Sequence, residues 1–464
     1  MTRVGSPASF LAAMLAATLT TFSTIAKAEP PPPSSAKQAA PAEGAAAIEK
    51  GPYLQALGAT GVTIKIELSR PAPARVEVYA AGQRDPIASR SSEGERAFHT
   101  IRVEGLSPAT AYEYLVDAGG SRSERGHFTT APTDARPFRF IAYGDSRSNA
   151  EAHTAVVRAM ETTPADFLVS TGDMVLNGGD PAEWRRLFAI EGPMLRDRCA
   201  FVAVGNHELY KGDPKGEVAF LRYFAGEQDG RPLTRLYSTF RWSNTRFFML
   251  NAMDTWTGDE RAWLRDELDR ALHEPGLVHR IAVMHHGPFS SGPHGGNKAL
   301  ANGEVVAMMR ERGVDLLIAG HDHIYERGEG GGLKYVITGG AGAPLYEKKA
   351  DAPQTRRFEA AYHFVEIAVD GDRVSVTARR PSGAVLEQCG YQANGPWDCD
   401  TPAPTSHAAT IPTDRPAEGP PRRARACGCA MPGDAGGAGG GAALAAAVAA
   451  AARKRRKRVE SLGI

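Results

Sequence analysis

The sequence predicts an α/β domain with a four-layer arrangement, in which two sheets pack face to face between flanking helices, preceded by an all-β sandwich domain. Between 138 and 319, five short apolar runs are separated by amphipathic segments of helical length. Residues 51–132 instead alternate apolar and polar side chains, as half-buried strands do. The 464 residues are 42% hydrophobic and 23% charged, an ordinary globular composition.

The charge balance excludes a general attraction to nucleic acid. Lys and Arg total 54 and Asp and Glu total 53, which gives a net charge of +1. Non-specific binding to nucleic acid depends on a basic excess that neutralises phosphates. No nucleic-acid partner is therefore expected.

The N-terminal segment has the features of a signal peptide. Arg3 precedes an uncharged run rich in Ala and Leu, and residues 26–28 have the A-x-A pattern of a signal-peptidase site. We expect export with removal of residues 1–28, and a buried N-terminal helix is the alternative. Residues 29–47 are rich in Pro and Ala and are predicted to be an unpacked linker.

Residues 48–132 are predicted to form a β-sandwich. Alternating patterns recur at 62–68, 76–78 and 112–116. The stretch from Leu106 to Tyr112 resembles the tyrosine corner of fibronectin type III and immunoglobulin-like domains. No side chain here has a catalytic pattern, so we expect a spacer or a wall beside an active site, with carbohydrate binding as the alternative.

Residues 137–400 are predicted to form the second, catalytic domain. The five apolar runs, interpreted as buried strands, are Phe138–Tyr143, Phe167–Thr171, Phe201–Val204, Ile281–Met284 and Leu316–Ala319. Two sets of apolar residues each share a helical face: Trp263, Leu264, Leu268 and Leu272, and then Val305, Val306 and Met309 ahead of Gly313. Residues 365–376 predict a hairpin that completes a second sheet.

Each of the five runs ends in a polar sequence. These sequences are Gly144-Asp145-Ser146-Arg147, Gly172-Asp173, Gly205-Asn206-His207-Glu208, His285-His286-Gly287-Pro288 and Gly320-His321-Asp322-His323. A single Gly-Asp pair is usually only a turn, but ligand sites of α/β sheets gather at the carboxyl ends of strands, and five such ends can converge. Carboxylate, amide and imidazole donors without thiolate suit Zn, Mn, Fe or Mg. The number of donors predicts two metal ions bridged by one carboxylate, an arrangement that serves displacement at phosphorus.

The order and spacing of these motifs resemble those of calcineurin-like metallophosphoesterases over residues 137 to about 380. Residues 320–327, GHDHIYER, are similar to the GHxHxYER run of the purple acid phosphatase branch, whose members also carry an N-terminal sandwich opening with a Gly-Pro segment like Gly51-Pro52-Tyr53.

The resemblance implies hydrolysis of small-molecule phosphate monoesters by a hydroxide bound to two divalent ions of iron, zinc or manganese. A phosphodiesterase or nucleotidase of the same fold, and a surface binding protein with a vestigial metal site, are the alternatives.

The resemblance also implies six metal ligands. They are Asp145 and His323 on the first ion, Asp173 as the bridge, and Asn206, His285 and His321 on the second ion. His286 is the alternative to His285, because Gly287 stands where the family has a proline two residues after the ligand.

Three further residues are candidates for contact with the substrate. The resemblance implies that His207 meets the phosphate and protonates the leaving group. Arg147 is a candidate clamp on phosphate oxygens and His294 a candidate second proton donor, with a solvated arginine and an ordinary loop histidine as the alternatives.

One position departs from the purple acid phosphatase pattern. Three residues after the bridging Asp173, that family has a tyrosine whose phenolate binds Fe(III), and here the residue is Leu176. We therefore expect a divalent metal pair and a colourless protein.

The C-terminal residues are predicted to lie outside the folded domains. Residues 401–426 read as a disordered linker, and 427–464 contain a Cys-Gly-Cys motif, a Gly/Ala segment and a basic cluster. This tail resembles the tripartite sorting signal of many myxobacterial surface proteins, which implies a cell-surface or extracellular location with membrane association through the segment. A flexible basic tail is the alternative. In an exported chain, Cys389 and Cys399 are expected to form a disulfide.

Overall fold

The computed structural model describes residues 45–224, 227–228, 231–232, 235–252 and 258–399. The predicted signal peptide, most of the N-terminal linker, the C-terminal linker and the sorting segment lie outside the described residues. Within the part that is described, no helix combines the length and the apolar character needed to cross a membrane.

The first folded region consists of short strands. They are β1 (Ile48–Gln55), β2 (Gly61–Ala72), β3 (Ala74–Ala80), β4 (Ala88–Ser91), β5 (Arg96–Glu104), β6 (Ala111–Ala118), β7 (Ser121–Arg122) and β8 (Gly126–Thr129). One sheet has the order β1-β2-β5, and the other has the order β4-β3-β6-β7 with β8 also paired to β6. The Tyr112 hydroxyl accepts a hydrogen bond from the Ser107 amide at 2.9 Å, as in a tyrosine corner. The relationship to fibronectin type III domains stays a prediction.

This region begins before its predicted boundary at residue 48. Ala46 is buried, and its amide donates to the Gly119 carbonyl at 3.0 Å. Residues 45–47 of the predicted linker therefore pack on the strands, because a small side chain fits where Gly119 lets the backbones approach closely.

The second region alternates strands with helices. Its strands are β9 (Phe138–Tyr143), β10 (Phe167–Ser170), β11 (Ala200–Val202), β12 (Glu227–Gln228), β13 (Arg231–Pro232), β14 (Ser238–Trp242), β15 (Thr245–Met249), β16 (His279–Val283), β17 (Leu316–Ala319), β18 (Tyr325–Gly330), β19 (Leu333–Thr338), β20 (Thr355–Glu359), β21 (Phe364–Asp370), β22 (Arg373–Arg379) and β23 (Val385–Gln392). Its helices are α1 (Ala150–Thr162), α2 (Pro181–Asp197), α3 (Pro214–Phe224), α4 (Gly258–Leu272), α5 (Lys298–Ala301) and α6 (Glu304–Glu311), with a 3₁₀ turn at Tyr210–Gly212.

Two large sheets organise these strands. The first sheet has the order β11-β10-β9-β21-β22-β23, and the second sheet has the order β14-β15-β16-β17-β19-β18-β20. The predicted hairpin is β21–β22, and β21 pairs with β9, so the hairpin extends the first sheet. Cys389 at the edge of this sheet forms the predicted disulfide with Cys399.

The two sheets pack against each other, with helices on the outside. Phe140 and Phe167 of the first sheet share one core with Phe247 and Ile281 of the second. Neighbouring residues point the opposite way, since side chains alternate along a strand: Ile141 packs with α1 and α2, and Ala282 packs with α4 and α6. The predicted sheet-on-sheet core flanked by helices is present.

The first region, with strands β1–β8, contacts the second region at the carboxyl end of α3. Lys65 Nζ donates to the Arg222 carbonyl at 2.7 Å, and the Tyr53 hydroxyl donates to the Tyr223 carbonyl at 3.1 Å. These donors satisfy carbonyls that the end of a helix leaves without partners, and a cation there is also favoured by the helix dipole. The first region thus fixes the helix that follows the Gly205–Glu208 motif.

Candidate active site

The carboxyl ends of β9, β10 and β11 meet those of β16 and β17 at one end of the two sheets. Strands β9, β10 and β11 are parallel neighbours, as are β16 and β17, so the loops that follow them lie side by side. His285 Nε2 lies 3.4 Å from Asp173 Oδ2, 3.1 Å from Asn206 Oδ1 and 3.2 Å from His321 Nδ1. One potential ligand atom from each of Asp173, His285 and His321 lies within 4.8 Å of the others.

The other side of Asp173 carries the remaining predicted ligands. Asp145 Oδ1 is 3.6 Å from His323 Nε2. Arg147 lies between them and the bridge position: its Nε is 3.3 Å from Asp173 Oδ2 and its Nη2 is 3.2 Å from His323 Nε2. All six predicted ligands are therefore together, and Arg147 is in the same cluster rather than at a solvated surface.

The backbone at the site takes a conformation that few residues adopt. Asp145, Asp173 and His321 have positive φ angles of 58°, 54° and 73°. Such left-handed backbone at non-glycine residues costs free energy and clusters at functional sites. The neighbouring glycines leave the necessary room, because a Cβ at Gly205 would lie 2.2 Å from Asp173 Oδ1 and one at Gly320 would lie 2.6 Å from Asp145 Oδ2.

Two histidine rings are fixed by backbone carbonyls. His285 Nδ1 lies 3.0 Å from the Thr171 carbonyl oxygen, and His323 Nδ1 lies 2.7 Å from the Pro344 carbonyl oxygen. A carbonyl only accepts, so each Nδ1 carries a proton, and Nε2 of each ring faces the site. Metal-binding histidines are held in this way.

Glu208 is a structural residue of the site to which sequence reasoning assigned no role. Its buried carboxylate accepts the amide hydrogens of Asp173, Met174 and Gly205 at 2.8–2.9 Å. Burial, with a smaller effect of the Asp173 charge, raises the pKa of Glu208 to about 7. Glu208 thus joins the loop after β10 to the loop after β11. The sequence signal that could have indicated Glu208 is its position directly after His207.

The charges at the site fit metal ions. Asp145 Oδ1 is buried and has no hydrogen-bond partner among the described residues, and burial raises the pKa of Asp145 well above its usual value. Burial opposes protonation of His285, but the carboxylates of Asp173 and Asp145 raise the pKa of His285 to about 9. The buried carboxylates thus favour a positive charge at this position, and the N and O donors suit divalent cations.

His207 lies beside Asp173 at the mouth of the site. Its amide donates to Asp173 Oδ1 at 2.9 Å, and its Nδ1 donates to the Leu176 carbonyl at 2.6 Å, which leaves Nε2 available. The nearly parallel ring of Tyr210 is centred 5.7 Å away. Burial lowers the pKa of His207. The Leu176 side chain is 42% exposed and offers no donor for a metal.

His286, which follows His285 after β16, and the loop histidine His294 both lie beside His321. The rings of His286 and His294 are centred 4.4 and 4.5 Å from the His321 ring. His285 contacts Asp173 and Asn206, so the geometry favours His285 as the ligand. His294 Nε2 is 3.4 Å from the hydroxyl of Tyr346, a residue that no motif indicated.

Comparison with known proteins gives a family match and several relatives. Residues 138–325 match the calcineurin-like phosphoesterase family. An uncharacterized protein of Mycobacterium tuberculosis is 25% identical over 299 residues, which cover 57% of this chain and 56% of that protein. Purple acid phosphatase 23 of Arabidopsis thaliana is 26% identical over 268 residues, which cover 49% of this chain and 57% of that protein. This chain thus spans little more than half the length of each relative.

A solved structure shares the fold. The purple acid phosphatase from yellow lupin seeds superimposes with a TM-score of 0.61 and 17% identity, over 74% of each chain. Residues 138–325 thus resemble a calcineurin-like phosphoesterase domain, with purple acid phosphatases among the relatives and structural neighbours, and these likenesses support a phosphoesterase hydrolase. This fold implies the use of two metal ions.

Proposed function

We propose that this chain is an exported phosphatase that hydrolyses phosphate monoesters of small molecules with two divalent metal ions. The proposed ligands are Asp145, Asp173, Asn206, His285, His321 and His323. The observation that carries the proposal is the close approach of Asp173, Asn206 and His321 to the Nε2 atom of His285, at 3.1–3.4 Å. The likeness to purple acid phosphatases supports the choice of reaction.

The chain's own residues have separate tasks in this reaction. Two bound divalent ions supply Lewis-acid activation of water and of the phosphoryl group. Arg147 is already within reach of the bridge position, so its guanidinium can donate to phosphoryl oxygens. Because the Leu176 carbonyl holds Nδ1 of His207, the ring presents Nε2, and a proton there can pass to the departing alkoxide.

Export is supported by two features outside the candidate site. The disulfide between Cys389 and Cys399 supports it, because such bonds persist in oxidising compartments. The signal-peptide pattern of residues 1–28 supports it as well. Recovery of the native protein from the cell envelope or medium, without residues 1–28 by mass spectrometry, is the expected result, and a cytoplasmic protein with an intact N-terminus contradicts export.

The activity is tested by metal removal and reconstitution. The purified chain is treated with a chelator, reloaded separately with Zn²⁺, Mn²⁺ or Fe²⁺, and assayed on p-nitrophenyl phosphate and bis(p-nitrophenyl) phosphate. We expect about two ions per chain, activity only after reloading, and a higher kcat/KM on the monoester. Full activity without detectable metal contradicts the dinuclear site, whereas faster hydrolysis of the diester contradicts only the monoester preference.

A further inference from the structure

Tyr346 connects two histidines of the site. Its ring stacks on His323 with centroids 4.1 Å apart and an angle of 17° between the planes. Its amide donates to the His323 carbonyl at 3.2 Å, so backbone and ring both contact this residue. Its hydroxyl reaches His294 Nε2 at 3.4 Å.

The loop that carries His294 is fixed by two buried carboxylates. Glu326 accepts from the Ser291 amide at 2.8 Å and from the Ser291 hydroxyl at 2.5 Å. Asp322 accepts from the Ser290 hydroxyl at 2.5 Å and from the His294 amide at 3.1 Å. Both carboxylates belong to residues 320–327, which also carry His321 and His323. The backbone of His294 is therefore held against the segment with the predicted ligands.

The His294 ring is held differently from its backbone. Within the described residues, the hydrogen bond of this ring is the one to the Tyr346 hydroxyl. The ring otherwise packs near the rings of His321 and Tyr346, at centroid distances of 4.5 and 5.4 Å. The direction of the ring thus depends on the Tyr346 hydroxyl, since packing against neighbouring rings leaves rotation about χ2 open.

We propose that Tyr346 is a positioning residue with two separable parts: its ring, together with the Pro344 carbonyl that holds Nδ1, orients His323 toward the first metal ion, and its hydroxyl orients His294 toward the substrate. The inference rests on the proposed function for its second part, and on metal binding alone for its first. Metal-binding histidines depend on neighbouring groups for ring orientation, and loss of such a group typically weakens metal binding by about 10–100-fold.

Two substitutions separate the parts. Tyr346→Phe keeps the ring and removes the hydroxyl, so it should bind Zn²⁺ as the unmodified chain does, while kcat/KM on an alkyl phosphate falls by about 3–10-fold, the value of one neutral hydrogen bond. Tyr346→Ala should also weaken Zn²⁺ binding at one of two sites by about 10–100-fold. Zn²⁺ affinity is measured by calorimetry on the full chain, together with thermal unfolding.

A double-mutant cycle decides whether the hydroxyl acts through His294. The variant with both Tyr346→Phe and His294→Ala should have the kcat/KM of His294→Ala alone, within about 2-fold, because contacting residues are not additive. Tyr79→Phe is the matched control. The Tyr79 hydroxyl donates to Glu77 in the first region at 2.7 Å, and its loss should change neither kcat/KM nor Zn²⁺ affinity.

The outcomes are distinguishable from failure of the proposed function. If the double variant loses kcat/KM by the product of the two single losses, the hydroxyl does not act through His294. Unchanged Zn²⁺ affinity in a folded Tyr346→Ala chain overturns the role of the ring. If the unmodified chain hydrolyses no phosphate ester but Tyr346→Ala still weakens Zn²⁺ binding, the proposed function is wrong and the role of the ring stands.

Discussion

The first sheet supplies the carboxylates of the candidate site, whereas the second sheet supplies most of its imidazoles. Asp145 and Asp173 follow β9 and β10, while His285 and the pair His321 and His323 follow β16 and β17. Each proposed ion takes ligands from both sheets. Neither sheet alone holds all the proposed ligands of one ion, so bound ions would also join the two sheets of the fold.

The largest effect is expected at the residue that both ions would share. Asp173→Ala should lose metal and activity together, with kcat lower by about 10³-fold or more, because charge stabilisation in the transition state disappears. Metal content by elemental analysis and kcat are measured on the same preparation. Asp351→Ala, which removes an exposed carboxylate paired with Lys348, serves as the control and should change neither. An Asp173→Ala chain that retains two ions contradicts the bridging role.

His207 belongs to the first sheet but is proposed to act on the leaving group. His207→Ala should keep both ions and lower kcat on an alkyl phosphate by about 10²–10⁴-fold, the loss expected for a general acid. The loss should be smaller for p-nitrophenyl phosphate, because nitrophenolate departs without needing a proton. Equal losses on the two esters, or loss of metal, contradict this role.

Removal of metal tests whether the ions join the sheets. A ligand that binds only the folded state stabilises it by about 2.7 kcal/mol at 100 times its Kd. For two ions, we expect a chelator to lower Tm by roughly 5–15 °C in a domain of this size. Calorimetric scans with and without chelator give the measurement, and the Asp173→Ala chain should show little change. Equal Tm values for the metal-loaded and metal-free protein contradict the cross-link.

The sequence predicted those strands whose apolar pattern is visible within a few consecutive residues. The apolar runs 138–143 and 316–319 coincide with β9 and β17, because both strands are mostly buried and carry no charged side chain except Arg139. The sequence did not predict β18, because its buried residues Glu326 and Arg327 are charged and interrupt the apolar run that marks a buried strand. Partners from distant strands satisfy them: Tyr335 and Thr355 donate to Glu326, and Glu387 binds Arg327.

The candidate site likewise contains residues that a local sequence motif marks and residues that only the fold brings there. The polar motifs at the strand ends contain all six proposed ligands, and the resemblance to calcineurin-like metallophosphoesterases implied which of their residues bind metal. Tyr346 could not be found in this way. It reaches His323 and His294 through the path of the chain after β19, and nothing in its neighbouring residues indicates a site.

The smallest effect on activity is expected at Leu176, where the first ion lacks the tyrosine of purple acid phosphatases. Loaded with Fe(III), the unmodified chain should show no intense visible charge-transfer band, since Leu176 supplies no phenolate to the proposed first ion. Leu176→Tyr should gain such a band, while kcat changes by less than about 10-fold, because His207 and the proposed ligands are unaltered. Leu176→Phe, which adds the ring without the hydroxyl, should remain colourless. A strong band in the unmodified chain would mean that another tyrosine binds the ion. Tyr346, stacked on His323, would then be the first residue to replace by phenylalanine.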